Sequence, residues 1–340
     1  RKSGFKITIY DRYDRPGGLL IYGIPNFKLE KFVVERRTKL LKESGIKFRQ
    51  NFEVGKDASL EALKSKHDAI LIATGVYKAR DVEIEGKSLK NIFPAMDFLT
   101  ASNRKGLGDE VKLFDNGTLN GENKHVVVVG GGPAGSMAAW ETAKKGASVC
   151  LLEKDRDIGY PVRCGEAAAE AGLKKFVDVK DSWIAQKIMG AQLISPSGKV
   201  VDVVFSSETG FILNRRIFDY DLSRYAANAG VEIFTKSYVK DVLINNNKVE
   251  GVILDFLGEE TKIKSNIVIG ADGLTSRIGR WAGIKTKVRL KDMESCIQYS
   301  VSNIDIAQDK MIMFVGKNYA PGGYLWIFPK GDRSANIGIG

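Results

Sequence analysis

The 340-residue sequence predicts an α/β fold: a parallel-sheet module in its second part, an antiparallel sheet attached to it, and an incomplete α/β module in front. Three observations predict this. An apolar run, "HVVVV" (125–129), leads into the glycine loop "GGGPAG" (130–135) and a small-residue helix. The pattern that closes this unit, "VCLLEKDRDIG" (149–159), is echoed far upstream by "ITIYDRYDRPG" (7–17). Residues 286–340 alternate apolar and polar side chains, the period of a half-buried antiparallel sheet.

The second module is the more complete. A short, wholly apolar run is the pattern of a parallel strand covered on both faces. Gly130, Gly132 and Gly135 follow at G-x-G-x-x-G spacing, and "SMAAWETAKKG" (136–146) reads as a helix stopping at Gly146. "ASVCLLEKD" (147–155) is the second strand, with Glu153 at its end, 23 positions after Gly130. Gly130 permits the tight turn, Gly132 lets backbone approach a pyrophosphate, and Gly135 lets helix pack on strand. The helix start offers unpaired N–H groups and the positive end of its dipole to phosphates. Glu153 is placed to accept hydrogen bonds from ribose hydroxyls. Strand, loop, helix, second strand and acid are all in register, which makes this a Rossmann-like dinucleotide unit.

Asp11-Arg12 to Gly17 repeats the spacing of Glu153-Lys154 to Gly159. "DAILIATG" (68–75) likewise resembles "SNIVIGADG" (265–273), each an apolar run ending in a small-residue turn. By the offset of the later unit, the first module's glycine loop is expected about a dozen residues before Arg1. "KLEKFVVERRTKLLKESG" (28–45) predicts a helix with Phe32, Val33, Leu40 and Leu41 on one face. "SLEALKSK" (59–66) predicts a short helix capped by Ser59. Residues 99–124, polar and rich in Gly and Asn, read as a linker between a module at 1–98 and another at 125–340.

After Glu153 the chain expands. "FILNRRIFDYDLSRYAANAG" (211–230) predicts a strand and an amphipathic helix, and residues 231–256 predict short strands joined by a turn at "NNNK". Roughly 120 residues separate Glu153 from Asp272, against about 60 between Asp11 and Thr74. The surplus predicts part of a substrate domain threaded through the nucleotide domain.

Composition narrows the function classes. The net charge is +11, with 24 basic and 17 acidic residues before position 125 and 28 and 24 after it. That excess is spread thinly, which suits a solvated basic face, an anionic cofactor or a lipid surface. No nucleic-acid motif accompanies it. Cys150, Cys164 and Cys296 have no metal-ligand spacing, and so sparse a set fits a reducing, cytoplasmic setting. His67 and His125 each stand beside an apolar run and read as structural, so no metal site is expected.

Residues 125–340 resemble the geranylgeranyl reductase family of FAD enzymes. The resemblance rests on "GGGPAG", "LLEK", "GYPVRCGE" (159–166), "FILNRRIFD" (211–219) and "GADGLTSRIGRWAGI" (270–284). Its most specific stretch is "APGGYLWIFPKGDRSANIGIG" (320–340), which fits a Y-x-W-x-F-P signature through Tyr324, Trp326, Phe328 and Pro329. Residues 5–124 resemble the small subunit of bacterial glutamate synthase through "PGGLLIYGIPNFKLEKFVVERR" (16–37), "GIKF" (45–48), "DAILIATG" and "AMDFL" (95–99). One flavin module thus interrupts another, through a natural insertion or through a join at the shared glycine motif.

The resemblance implies a Rossmann-like FAD-binding domain of the glutathione-reductase/hydroxylase-like kind with a partial antiparallel-sheet substrate domain, behind an incomplete second nucleotide-binding α/β module. It implies FAD held by Gly130, Gly132, Pro133, Ala134, Gly135, Glu153, Lys154, Arg163, Cys164, Arg215, Asp272 and Gly273. Cys164 is the catalytic candidate beside the flavin ring, or else a small buried filler. Asp272 faces the ribityl–phosphate region, or else caps a helix. Tyr324, Trp326 and Phe328 alternate on one strand face, as an apolar wall for a prenyl chain or as ordinary sheet packing. The implied activity is reduction of C=C bonds in polyprenyl groups on lipids, with NADPH or ferredoxin as electron donor and peripheral attachment to membrane. A flavin-dependent aromatic hydroxylase and an electron-relay module or fragment are the other readings. A further "GDA"-type turn and helix are expected beyond Gly340, and the 340 residues alone are expected to be inert.

Overall fold

The computed structural model describes residues 4–75, 93–205 and 210–340. The chain divides into two compact units, Arg1–Glu122 and Asn123–Gly340.

The first unit carries β1 (Thr8–Tyr10), α1 (Leu19–Tyr22), α2 (Lys31–Glu43), β2 (Lys47–Arg49), α3 (Leu60–Lys64), α4 (Ala95–Gly106) and α5 (Lys112–Asp115). Strands β1 and β2 pair in parallel as a two-stranded sheet. Ser59 caps α3 as expected, accepting from the Ala62 N–H at 3.1 Å. His67 is structural, its Nε2 sharing a 3.0 Å hydrogen bond with the Tyr10 hydroxyl.

Two expectations for this unit are corrected, and one apolar run stays outside any sheet. Helix α2 buries Lys31 and Val34, while Phe32 and Leu40 are 57% and 52% exposed. The Lys31 ammonium selects that face, because it is drawn onto the Leu20 and Ile24 carbonyls at the end of α1. "DAILIATG" forms no strand, and its Leu71 and Ile72 are 90% and 70% exposed. Among the described residues it pairs with no neighbour, and a parallel strand without a ladder leaves its backbone groups to water. The early part of the polar stretch 99–124 is helix α4, which buries Ala101 and Asn103. The Asn103 amide donates to the Tyr22 carbonyl at 2.8 Å, which composition did not reveal.

The second unit begins with β3 (His125–Val129), α6 (Pro133–Lys144), β4 (Ser148–Leu152), β5 (Ala167–Ala169), α7 (Glu170–Leu173), β6 (Ile184–Ile188), β7 (Gly190–Ile194) and β8 (Val200–Val204). It continues with β9 (Gly210–Leu213), α8 (Arg215–Asn228), β10 (Glu232–Phe234), β11 (Ser237–Asn245), β12 (Lys248–Phe256), β13 (Glu259–Lys264), β14 (Ile267–Gly270) and α9 (Arg277–Trp281). It ends with β15 (Ile297–Val301), β16 (Lys310–Val315), β17 (Tyr324–Gly331) and β18 (Ser334–Ile339).

A four-stranded parallel sheet, in the order β10-β4-β3-β14, forms its centre. Residue parity divides the two faces of β3. Val126 and Val128 pack with Ala139 of α6 and Ala226 of α8. Val127 and Val129 pack with Val252 and Leu254 of β12 and Ile278 of α9. Both faces are covered, so the strand carries no polar side chain after His125. Strands β11, β12 and β13 form an antiparallel sheet whose first turn places Asn246 and Asn247 at φ 47° and 58°. Asparagine tolerates such a pair in a two-residue hairpin.

The six-stranded sheet runs β15-β18-β17-β16-β7-β8. It is antiparallel except where β16 meets β7 in parallel. Strands from before β14 and after it share this sheet, so the chain enters it twice. A small antiparallel sheet, β5-β9-β6, completes the unit.

Candidate functional site

The three motif glycines of the loop stand in different surroundings. Gly130 has φ +106°, and a Cβ there would sit 2.3 Å from the Ala271 carbonyl oxygen, in the turn after β14. A Cβ at Gly135 would sit 1.8 Å from the Gly130 carbonyl oxygen, so α6 closes on the loop only without a side chain. A Cβ at Gly132 would meet nothing within 4 Å. That glycine is not needed for packing, and its open side leaves room for an approaching group. Gly132 is the N-cap of α6, and no side chain caps the helix. Pro133 takes the first helical turn, where its missing N–H costs nothing, and Ala134 is exposed there. A loop with an open glycine at an uncapped helix start, and the helix dipole behind it, fits a pyrophosphate.

Glu153 follows β4. Its carboxylate accepts from the Gly131 N–H at 2.6 Å and the Asp155 N–H at 2.8 Å. These bonds aim it at the glycine loop and leave carboxylate lone pairs for ribose hydroxyls. Lys154 turns to Asp155 at 2.5 Å. Asp272 does what a cap does: its carboxylate accepts from the Arg277 and Ile278 N–H groups at the start of α9. Gly273 follows at φ +69°.

The loop 159–166 brings the remaining residues together. Arg163 and Cys164 are exposed, which removes the buried-filler reading of Cys164. The Glu166 N–H donates to the Cys164 Sγ at 3.3 Å. Arg215 opens α8 and is clamped by Asp219 through Nε at 2.6 Å and Nη2 at 2.8 Å. That carboxylate, with the Cys164 sulfur beside it, holds the guanidinium above its ordinary value. A cleft of about 400 Å³ opens next to it, between Asp157–Tyr160 and Asn214–Tyr220. Arg216 stacks 5.1 Å over the Tyr160 ring at its edge.

Tyr324, Trp326 and Phe328 share one face of β17 as a ladder, with ring centroids 5.7 and 6.3 Å apart. Trp326 and Phe328 are each 8% exposed and Tyr324 is 42% exposed. The ladder reaches the Cys164 loop: a Cβ on Gly165 would lie 2.8 Å from the Phe328 ring.

Glu166 was quoted within its motif but given no role by sequence reasoning. It is 4% exposed, at φ +71°. Its carboxylate takes the Lys330 ammonium, the Asn336 amide at 2.7 Å and the Arg215 N–H at 3.1 Å. A buried carboxylate with three donors is satisfied, and it ties the Cys164 loop to α8, β17 and β18. The signal was its place in "CGE" beside a candidate thiol, with partners about 50 and 165 residues away. The other two cysteines stand apart in character. Burial and the nearby Glu232 push the Cys150 thiol up to about 11, and Cys296 is exposed.

Among the described residues no group of three or more His, Cys, Asp or Glu side chains is placed to hold a metal ion. No described helix is long and apolar enough to cross a membrane.

Comparison with known proteins agrees with this geometry. The family described as pyridine nucleotide-disulphide oxidoreductase matches residues 4–203, glucose inhibited division protein A matches 125–293, and the geranylgeranyl reductase catalytic domain matches 292–340. Digeranylgeranylglycerophospholipid reductase of Methanocella arvoryzae is 43% identical over 218 residues, covering 63% of this chain and 56% of its own. An enzyme so named from Methanococcoides burtonii is 44% identical, covering 63% and 53%. The crystal structure of a geranylgeranyl bacteriochlorophyll reductase-like protein from Thermoplasma acidophilum superposes with a TM-score of 0.60 at 38% identity, covering 64% and 56%. The chain therefore spans about half the length of the relatives it matches. The fold is a mixed α/β, FAD-binding Rossmann-like oxidoreductase fold. The chain belongs to the pyridine nucleotide-disulphide oxidoreductase family, with its match to the geranylgeranyl reductase catalytic domain at residues 292–340.

Proposed function

We propose that this protein is an FAD-dependent reductase of C=C bonds in the geranylgeranyl chains of glycerophospholipids. The observation that carries the reading is the contact between the Tyr324–Trp326–Phe328 ladder and the Cys164–Gly165 loop. It sets aromatic side chains beside the loop that carries Cys164, the residue that the resemblance would put near a flavin. Similarity to the named reductases over 218 residues supports the substrate class.

The residues fit FAD at its pyrophosphate, where Gly132 is open and α6 is uncapped. Gly130, Gly132, Pro133, Ala134 and Gly135 would hold the phosphates, and Glu153 the adenosine ribose. Lys154, Arg163, Arg215, Asp272 and Gly273 would line the rest of the cofactor. Reduced FAD, when bound, supplies the hydride for the double bond. The chain's own tasks are orientation and dryness. The aromatic ladder holds the prenyl chain by apolar contact and excludes water along it. Cys164 Sγ stands in the loop where a proton for the second carbon can be held. Donors for its immediate setting are the Glu166 N–H and the Arg215 guanidinium.

NADPH or ferredoxin would serve as the electron donor, and the family description names a pyridine nucleotide. A cytoplasmic protein working at the membrane surface suits a lipid substrate and a basic chain. The test bypasses the donor: dithionite-reduced protein is incubated with a geranylgeranyl glycerophospholipid, and hydrogenated product is sought by mass spectrometry. Bound FAD with no product from any prenyl lipid would overturn the reading.

A further inference from the structure

We propose that Gln298 is a positioning residue, a two-ended amide bridge that sets the gap between the Cys164 loop and the aromatic wall. The proposal rests on the reductase reading for its catalytic consequence, and on geometry alone for the bridge. Gln298 lies on β15, at one edge of the six-stranded sheet. Its Nε2 donates to the Cys164 carbonyl at 3.0 Å. Its Oε1 accepts from the Trp326 indole N–H at 3.0 Å. A carbonyl can only accept and an indole N–H can only donate, so the amide orientation is chemically forced.

The sheet register makes the bridge possible. Gln298 pairs with Gly338 on β18, and Gly338 pairs with Trp326 on β17. The indole lies across Gly338, where a Cβ would come within 2.2 Å of the ring. Any side chain at 338 would lift the indole off the sheet and away from Gln298. On the loop side, a Cβ on Gly165 would lie 3.7 Å from the indole nitrogen and 2.8 Å from the Phe328 ring. The indole is thus bedded between two glycines, and one glutamine joins its polar edge to the backbone of the candidate catalytic cysteine. Glu166 anchors the next turn of that loop to Lys330 and Asn336. The loop is held from both sides, and among the described residues only Gln298 links it to the wall itself through hydrogen bonds.

A group that donates at one end and accepts at the other is required. Gln298→Glu keeps the acceptor for Trp326 but sets a carboxylate against the Cys164 carbonyl. Gln298→Leu loses both ends. Trp326→Phe loses only the indole end and serves as the second variant should either Gln298 change prevent folding.

The experiment uses the FAD-loaded protein. The alkylation rate of Cys164 by iodoacetamide is read by peptide mass spectrometry, with free glutathione in the mixture as the rate reference and the slow-reacting Cys150 as a check that the fold is intact. The bridge predicts at least a three-fold faster Cys164 reaction in Gln298→Leu and Gln298→Glu, with Cys150 unchanged and flavin retained. A change at Cys164 below three-fold overturns it. With dithionite-reduced enzyme, Gln298→Leu and Trp326→Phe are expected to raise KM for a geranylgeranyl lipid about ten-fold and to change kcat less. A fall in kcat at constant KM overturns the wall-positioning role. If the parent protein reduces no prenyl lipid, the reductase reading fails, and the alkylation arm still decides the bridge.

Discussion

Two stretches of this chain share one sequence pattern and differ in what the fold does with it. In "SNIVIGADG", β14 pairs with β3 over four residues and lies in a sheet of four parallel strands. In "DAILIATG" the run forms no strand, with Leu71 at 90% exposure. The acid-base-glycine turns share one bond and differ in another: Asp11 and Glu153 each accept from the N–H two residues on, and Glu153 accepts in addition from the Gly131 N–H of the glycine loop. An apolar run is a capacity for burial. A neighbouring ladder and a covering helix turn it into a strand.

Substitutions can break or sharpen that comparison. The largest effect is expected at Gly135, where a Cβ would strike the Gly130 carbonyl. Gly135→Ala should cost more than about 4 kcal/mol in denaturant unfolding and abolish flavin binding. Gly132→Ala, three residues earlier, should change stability by less than about 0.5 kcal/mol yet lower FAD affinity, read by flavin titration. Equal losses of stability at the two positions would break the division of labour in the loop.

Next is Glu166→Ala, which strands the half-buried Lys330 ammonium and the buried Asn336 amide and should cost about 2–3 kcal/mol. Chemical denaturation measures it, and a cost under about 1 kcal/mol would show that water takes over the partners.

The apolar runs themselves are compared by Val128→Ala and Leu71→Ala. Val128 is 0% exposed. Its truncation should cost about 2 kcal/mol, and that of Leu71 less than about 0.5 kcal/mol. A large loss at Leu71 in a thermal melt would mean that this run is covered in solution.

The smallest effect concerns acid. Asp221 accepts from Trp183 and Lys180, both at 2.9 Å, and these bonds, led by Lys180, hold its carboxyl below the ordinary range. Its stabilisation is complete above about pH 4 and fades as pH falls through the lowered value. Asp221→Ala should lose about 1–2 kcal/mol at neutral pH and show a shallower acid decline than the parent. Parallel pH–stability curves would remove Asp221 from the linkage.

How much could be seen beforehand varies along the chain. The dinucleotide unit was legible because each part is local: an apolar run, glycines at fixed offsets, a helix stop and an acid. The Asn246–Asn247 turn and the Ser59 cap were legible for the same reason. The outward face of α2 was not, since Phe32 and Leu40 carry the apolar signal and Lys31 decides the packing through the carbonyls of Leu20 in α1 and Ile24 just after it. Nor was helix α4, whose buried Asn103 looks like a loop residue until its partner Tyr22 is known.

By itself, then, the sequence determined the α/β class, the parallel unit at 125–154, the apolar alternation of Tyr324, Trp326 and Phe328, and the chemistry available at Cys164. Only the tertiary structure decided that Glu166 gathers Lys330, Asn336 and the Arg215 N–H, and that Gln298 spans from Cys164 to Trp326. The reason is physical: local propensity and spacing act over a few residues, whereas a buried carboxylate or amide is defined by partners that the chain brings back from more than a hundred residues away.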